Sequence, residues 1–401
     1  MIKKRFHLTE FNLEDKRVFL RVDFNVPTKR GVIVNDTKVI KSIETIKYLL
    51  KKKCKVIIAT HFGRPKGEYK KKLSVKFLAK YLSLKLKKKV VFLDDCIGKD
   101  IKKIIVESKQ SLFFLENLRY YKQELSNDPI FSHSLASLAN IYVNDAFGVS
   151  HRKNASIVGI TKYIPSVMGL NVEEEITYLN GAIKSDGPSI WIIGGAKLDK
   201  VDLILKALKK SDKVLLGGAL PFAFMKAQGI NVGKSLCDKK SVRIAKKILK
   251  NKLSKKLVLP IDFVVSNKIS NKSKGSKVKN IFNNEFDKDD IGLDLGRNTI
   301  DLFKKHLRGA KTIVWNGPLG YYEIVTFSKA TFEVAKFISK LTATTICGGG
   351  ETSDVIKMLG LNSKMNHVST GGGASLQFLE GKKMPGLDAL YDNYKLFKDK
   401  V

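Results

Sequence analysis

The chain has 401 residues, with 74 Lys+Arg against 38 Asp+Glu, a formal net charge of +36; that length suits about two domains of ~100–200 residues, and a 43% hydrophobic fraction argues against disorder. Four scattered cysteines, Cys54, Cys96, Cys237 and Cys347, with no CxxC spacing argue against a disulfide framework or a structural zinc site. No apolar run approaches the ~18 residues of a membrane span, and "MIKKRFHLTEFNLED" lacks the apolar stretch of a secretory signal, so a reducing, cytoplasmic setting is expected.

Strand-like and helix-like segments alternate along almost the whole chain. "RVFLRVDFNV" precedes the helical pattern "IKSIETIKYLLKKK", and "KVIIATHFG" precedes "SVKFLAKYLSLKLKK". "VVFLD", "SLFFLENL" and "NIYVNDAF" follow, separated by helical patterns. Pro165 and Gly169 in "YIPSVMGLNVEEEITYL" mark a boundary before a charged helix. After residue 188 the alternation resumes with "SIWIIGG", "KVLLGG", "KLVLPIDFVV", "KTIVWNG", "TTICGGG" and "NHVST". Short apolar strands alternating with helices predict parallel sheets covered on both faces. The expected fold is α/β, with two doubly wound, Rossmann-like domains that bind ligands at the carboxyl ends of their strands. Segment 266–290, rich in lysine and asparagine, reads as a long surface loop or insertion. The last helix, "LDALYDNYKLFKDK", has an apolar face of Leu387, Leu390, Tyr391, Tyr394 and Leu396/Phe397 that needs a docking surface. The lysine runs at 51–53, 70–72 and 87–89 read as solvated faces. They imply at most a weak, salt-sensitive attraction to polyanions. No RNP, zinc-finger or helix-turn-helix pattern marks a specific nucleic-acid binder.

The strand ends of the two halves differ in chemistry. In the first half His61, Arg64, Arg119 and Arg152 each follow an apolar strand, which suits a ligand bearing carboxylate or phosphate groups. In the second half the strands end in glycines: "IIGGAK", "LLGGAL", "WNGPLG", "CGGGET" and "STGGGAS". Glycine lets backbone N–H groups approach phosphate, and the helix start that follows favours an anion. Five such turns point to a phosphate-rich ligand such as a nucleotide. Lys197 follows one glycine pair, and Glu323 and Glu351 are acids suited to a ribose and to Mg²⁺. "GINVGKS" at 229–235 is not read as a P-loop, because three residues separate its glycines where four are needed and no strand leads into it. With no GxSxG, HExxH or Cys/His nucleophile pair, direct transfer between two bound ligands is expected.

"RVDFNVP", "THFGRPKG", "FLENLRYYKQE", "YVNDAFGVSHR", "GGAK", "VWNGPLGYYE", "CGGGET" and "HVSTGGGASLQFLEGKKMPGLDAL" occur in this order. They resemble phosphoglycerate kinase over nearly the whole chain. The resemblance implies reversible phosphoryl transfer between 1,3-bisphosphoglycerate with Mg-ADP and 3-phosphoglycerate with ATP. It implies a monomer of two domains, 1–168 and 169–385, joined by a hinge helix, with the last helix, 386–401, returning to the first domain. By the same resemblance Asp23 and Asn25 would meet the hydroxyl and carboxylate of phosphoglycerate. His61, Arg64, Arg119 and Arg152 would hold its phosphate, with Phe24, Phe62 and Gly63 in the same turns. Lys197 would meet nucleotide phosphates. Gly292, Asn316, Pro318 and Glu323 would line the nucleoside site. Gly349, Gly350, Glu351 and Thr352 would meet phosphates and the metal, with Glu351 its ligand. Gly371, Gly372 and Gly373 would offer N–H groups to the phosphoryl group in transit.

The chain also departs from the pattern. Lys38 stands where the family has an essential arginine, which keeps the charge and loses the bidentate fork. The lysine following "GGAK" is Lys200, one residue closer than usual. Asn154 replaces a histidine, Glu351 an aspartate, and Ala219 a glycine. These changes keep open a second expectation, a kinase-fold binding protein with weakened catalysis.

Overall fold

The computed structural model describes residues 7–196, 201–270, 277–280 and 285–398. Its contacts divide into two compact units, residues 1–176 with 383–401, and residues 177–382.

The first unit runs β1 (Arg17–Val22), a small hairpin of β2 (Thr28–Lys29) and β3 (Val32–Ile33), α1 (Thr37–Lys51), β4 (Lys55–Ala59), α2 (Lys76–Leu86), β5 (Val91–Phe92), α3 (Lys99–Glu107), β6 (Leu112–Phe114), α4 (Lys122–Ser126), α5 (Pro129–Ala136), β7 (Ile141–Asp145) and β8 (Ser166–Met168). The sheet order is β5-β6-β4-β1-β7-β8, parallel throughout. Residues 18–22 of β1 and all of β7 are buried. That is the consequence of helices on both faces, and it explains why these strands read as continuous apolar runs. Val18, Leu20, Val56, Ile58 and Val143 from the sheet pack with Ile46 and Leu49 of α1.

The helix α6 (Leu170–Ile183) begins in this unit and carries the chain across the division after Ile176. The second unit continues with β9 (Ser189–Ile193), α7 (Val201–Lys210), β10 (Lys213–Leu216), α8 (Leu220–Ala227), α9 (Lys239–Leu249), β11 (Leu257–Val258), β12 (Asp262–Ser266), β13 (Lys277–Asn280), β14 (Ile291–Leu295), α10 (Arg297–Leu307), β15 (Thr312–Asn316), α11 (Lys329–Ile338), β16 (Thr344–Gly348), α12 (Gly350–Met358), β17 (His367–Val368) and α13 (Gly373–Leu379). Its sheet order is β11-β10-β9-β15-β16-β17, also parallel. The chain winds outward from β9 on one side and from β15 on the other, so the switch point lies between these two strands. Open α/β sheets bind ligands beyond the carboxyl ends at such a point.

Two sequence expectations need correction. Segment 266–290 is not loop alone: Lys277–Asn280 pairs antiparallel with Asp262–Val265, on the edge of a β13-β12-β14 sheet. Its charged, half-exposed face disguised it, and lysine on an edge strand also discourages pairing with other chains. The final helix, α14 (Pro385–Phe397), packs within the first unit, but Leu396 is not on its buried stripe and remains 52% exposed. Leu387, Leu390 and Asn393 lie along that stripe instead. The Asn393 amide oxygen accepts the Ser166 N–H at 2.8 Å, and its nitrogen donates to the Thr161 and Ile164 carbonyls. The runs 51–53 and 87–89 are exposed, with most of 70–72. Among the described residues no helix is long and apolar enough to cross a membrane.

Candidate active site

At the carboxyl end of the first sheet, β1 delivers Asp23, Phe24 and Asn25, and the adjacent β4 delivers His61, Phe62 and Gly63. The Asp23 Oδ2 accepts the Lys38 ammonium from the start of α1 at 2.7 Å. Burial pushes the Asp23 carboxyl up, but Lys38, then His61 and Arg21, outweigh it and hold the group at about 2. The Asn25 Oδ1 accepts the Gly63 N–H at 3.0 Å. The Arg119 Nη1 donates to the Gly63 carbonyl at 2.8 Å. The Arg119 guanidinium is driven down to about 10 by burial, then by the charges of Arg152 and Arg21. Arg152 is exposed, and its Nε donates to the His151 Nε2 at 3.2 Å. Arg64 is exposed and has no ionic or hydrogen-bonding partner among the described residues. Phe24 and Phe62 are core side chains, Phe62 packing edge-on against Phe77 at 5.1 Å.

The sequence reading missed Arg21. It is 1% exposed within a buried strand, and its Nη2 lies 3.2 Å from the His61 Nδ1. Arginine only donates, so the His61 Nδ1 accepts and the ring proton sits on Nε2. Burial, then Arg21, hold the imidazole well below its usual range, so His61 is neutral near pH 7. The available signal was a charge inside the apolar run "RVFLRV". Only the β1–β4 pairing shows which group it meets.

In the second unit, the turns after β9, β10, β12 and β15, with the start of strand β14, line a cavity of about 500 Å³. Gly292, Pro318, Glu323 and Glu351 reach it, together with Ala219 and the unanticipated Lys234, Leu236 and Tyr321. The segment "GINVGKS" therefore forms a wall: the Ser235 hydroxyl accepts the Gly292 N–H at 2.9 Å, and Lys234 pairs with Asp289. The first glycine turns are engaged with one another. The Gly194 N–H donates to the Asn316 carbonyl at 2.9 Å, Gly195 to Pro318 at 2.7 Å, and Gly218 to Leu319 at 2.9 Å. A Cβ on Gly194 would stand 2.1 Å from the Pro318 carbonyl oxygen. The N–H groups of those glycines are spent on close backbone approach, though Gly195 and Gly218 also line the cavity. The Gly371 N–H likewise donates to the Ser369 hydroxyl at 3.1 Å. The open donors lie in the first turns of α12, from Gly350, and α13, from Gly373. Gly349, at φ 92°, turns the chain into α12. Asn316 is buried at the end of β15, close to the Gly348–Gly349 turn. The Thr352 hydroxyl is buried and accepts the Gly317 N–H at 2.7 Å. Lys197 and Lys200 lie outside the described residues.

A family model for phosphoglycerate kinase matches residues 8–382. The phosphoglycerate kinase of Finegoldia magna is 45% identical over 392 residues, covering 96% of this chain and 98% of that protein. That of Dictyoglomus turgidum is 44% identical over 391 residues, with 96% and 98% covered. The solved structure of phosphoglycerate kinase from Coxiella burnetii matches with a TM-score of 0.87 at 36% identity, covering 97% of this chain and 99% of that one. The chain belongs to the phosphoglycerate kinase family.

A phosphoglycerate kinase transfers phosphate between 1,3-bisphosphoglycerate and 3-phosphoglycerate, with ADP and ATP as its nucleotide partners. Such an enzyme needs one pocket rich in cations and one that admits a nucleotide. Within the described residues, departures from the family pattern fall in both units. Lys38 is paired with Asp23, Asn154 is buried against Glu124, and Ala219 and Glu351 line the cavity of the second unit.

Proposed function

We propose that the cluster on the first unit holds 3-phosphoglycerate, or the glyceroyl end of 1,3-bisphosphoglycerate, and that the second-unit cavity holds ADP or ATP. The observation that carries this is a charge imbalance. Four cations, Arg21, Lys38, Arg119 and Arg152, meet two acids there, Asp23 at the strand end and the buried Glu124. Asp23 and Asn25 take the hydroxyl and carboxylate, while His61, Arg64, Arg119 and Arg152 take the phosphate. Glu323 takes the ribose beside Gly292, Asn316 and Pro318. The α12 start at Gly349–Thr352, Lys197 and Lys200 take the phosphates, and the N–H groups of Gly372 and Gly373 face the transferring group, Gly371 shaping the turn with its own N–H on Ser369.

The chemistry suits these groups. The attacking carboxylate has a pKa of about 3–4, so it is a nucleophile at pH 7 without a general base. Charge then spreads over three equatorial oxygens, which cations and N–H donors stabilise. Closure of the two domains would bring donor and acceptor in line and exclude water from the acyl phosphate. Mg²⁺ binds through one or two carboxylates plus substrate phosphates. Among the described residues no group of three or more His, Cys, Asp or Glu could hold a metal unaided. Glu351 is an exposed carboxylate at the cavity, a donor that fits a metal shared with nucleotide phosphates. Bound there, Mg²⁺ would neutralise phosphate charge. Both clusters lie on one chain, so the monomer is the proposed working form, in a cytoplasmic setting.

The test is a coupled assay with Mg-ATP and 3-phosphoglycerate. Turnover that requires both substrates is expected; binding of both without turnover would establish the weakened binding protein instead. A second measurement addresses the cavity. A Cβ on Gly292 would stand 2.3 Å from the ring of Phe222, which is wedged against Phe263 at 4.9 Å. Gly292→Val should raise KM for ATP about tenfold and leave KM for 3-phosphoglycerate unchanged. Equal nucleotide KM in variant and wild type would remove Gly292 from the site.

A further inference from the structure

Arg21 is a buried cation, and no carboxylate among the described residues hydrogen-bonds to it directly. Its Nε donates to the Ser156 hydroxyl at 2.8 Å. That hydroxyl donates in turn to the Glu124 Oε1 at 2.7 Å. The other Glu124 oxygen accepts the Ser156 N–H at 2.9 Å, and the Asn154 amide donates to Oε1 at 3.2 Å. Glu124, Ser156, Arg21 and His61 are each at most 2% exposed. Every donor direction in this chain is fixed. Arginine cannot accept, so Ser156 accepts from Arg21 and has its one proton for Glu124. Glu124 lies on α4, Ser156 in the helical turn Ala155–Gly159 and Arg21 near the end of β1, so three separate segments converge at the carboxyl end of the central strands β1 and β4.

We infer that Glu124 is a positioning residue for the phosphoglycerate site, acting through Ser156 and Arg21 to hold His61 as the neutral Nε2–H tautomer. The inference rests on His61 belonging to that site. Glu124 supplies the negative charge that a buried guanidinium needs, one hydroxyl removed. The guanidinium thereby keeps its Nη2 on the His61 Nδ1. The imidazole is left with one N–H, on Nε2, as its donor toward an oxyanion. Asn154 completes the arrangement: it offers Glu124 a neutral donor, so the carboxylate remains the counter-charge of Arg21. Buried polar networks of this kind are worth more together than their pairs, and losing one member disturbs the rest.

The test compares wild type, Glu124→Gln and Ser156→Ala. In the ligand-free protein, ¹⁵N/¹³C spectra of the His61 ring report the tautomer. Wild type should show Nε2–H alone, and both variants a mixture with Nδ1–H. In the assay both variants should raise KM for 3-phosphoglycerate about tenfold and leave KM for ATP unchanged, the pattern of a local loss of binding. Ser156→Ala keeps the backbone bond to Glu124 and is the variant to rely on if Glu124→Gln fails to fold. A wild-type tautomer with an unchanged 3-phosphoglycerate KM in folded Ser156→Ala would overturn the inference. If wild type shows no turnover with 3-phosphoglycerate, the functional reading fails, while the ring spectra still decide whether Glu124 sets the tautomer.

Discussion

Gly372→Val should lower kcat about a hundredfold and reduce Tm by no more than about ten degrees. Gly372 precedes α13 with φ 53° and ψ −114°, a combination that residues with a Cβ rarely adopt. A Cβ there would meet nothing within 4 Å. The cost is therefore backbone strain alone, on the order of 1–3 kcal/mol. Valine can relieve it only by rotating the turn, which re-aims the N–H groups of Gly372 and Gly373 at the opening of the helix. If those donors face the transferring phosphoryl, most of the loss falls on the transition state. In a unit of about 200 residues 1 kcal/mol moves Tm by about 2–4 °C. Single-turnover kinetics beside a thermal melt separate the two effects. A kcat within twofold of wild type would take these glycines out of the transfer step.

Lys38→Ala should lower kcat/KM by about a hundredfold or more, while Lys38→Arg should raise turnover. The Lys38 ammonium donates to Asp23 at 2.7 Å, and a single point charge then has two donors left for a ligand. A guanidinium could hold Asp23 on one edge and an oxyanion on the other. Unchanged or lower turnover in Lys38→Arg would show that the lysine is not a handicap. The pair also has a pH consequence. The folded carboxyl of Asp23 lies at about 2, below the ordinary value of 3.8. Its contribution to stability is therefore complete above the unfolded value and is lost as pH falls from about 4 toward 2. In Lys38→Ala the upward push of burial meets less opposition, so acid unfolding should begin at a higher pH. Circular-dichroism titrations of the two proteins measure the difference.

The fold was legible where burial dictated composition. "SIWII" and "TIVWN" became β9 and β15 because helices cover both faces of the sheet, so every position is apolar or small. It was illegible where a strand pays nothing for being polar, as in "KVKN" at the edge of its sheet. Placement of the site followed the same division. Residues beyond strand ends could be read in order: hydrogen bonds join Lys38, Asp23, Asn25, Gly63 and Arg119 into one group, and His61 lies beside it, bonded to Arg21. What a glycine is for could not be read. "GGAK" and "CGGGET" look alike on paper, yet Gly194 and Gly195 are spent on the neighbouring turn, and Gly350 opens a helix. Arg21 and Glu124 escaped for a different reason. Each is one charged letter in an ordinary segment, and only tertiary contact through Ser156 joins them.

The place of α14 bears on the order in which the protein can mature. The first unit leaves the ribosome first, but the Ser166 N–H on its edge strand waits for Asn393, which is translated only after the entire second unit. Until then the carbonyls of Thr161 and Ile164 also lack the Asn393 amide. Domains usually fold as units in the order of synthesis. Here the first to emerge is finished only after the second unit has been made.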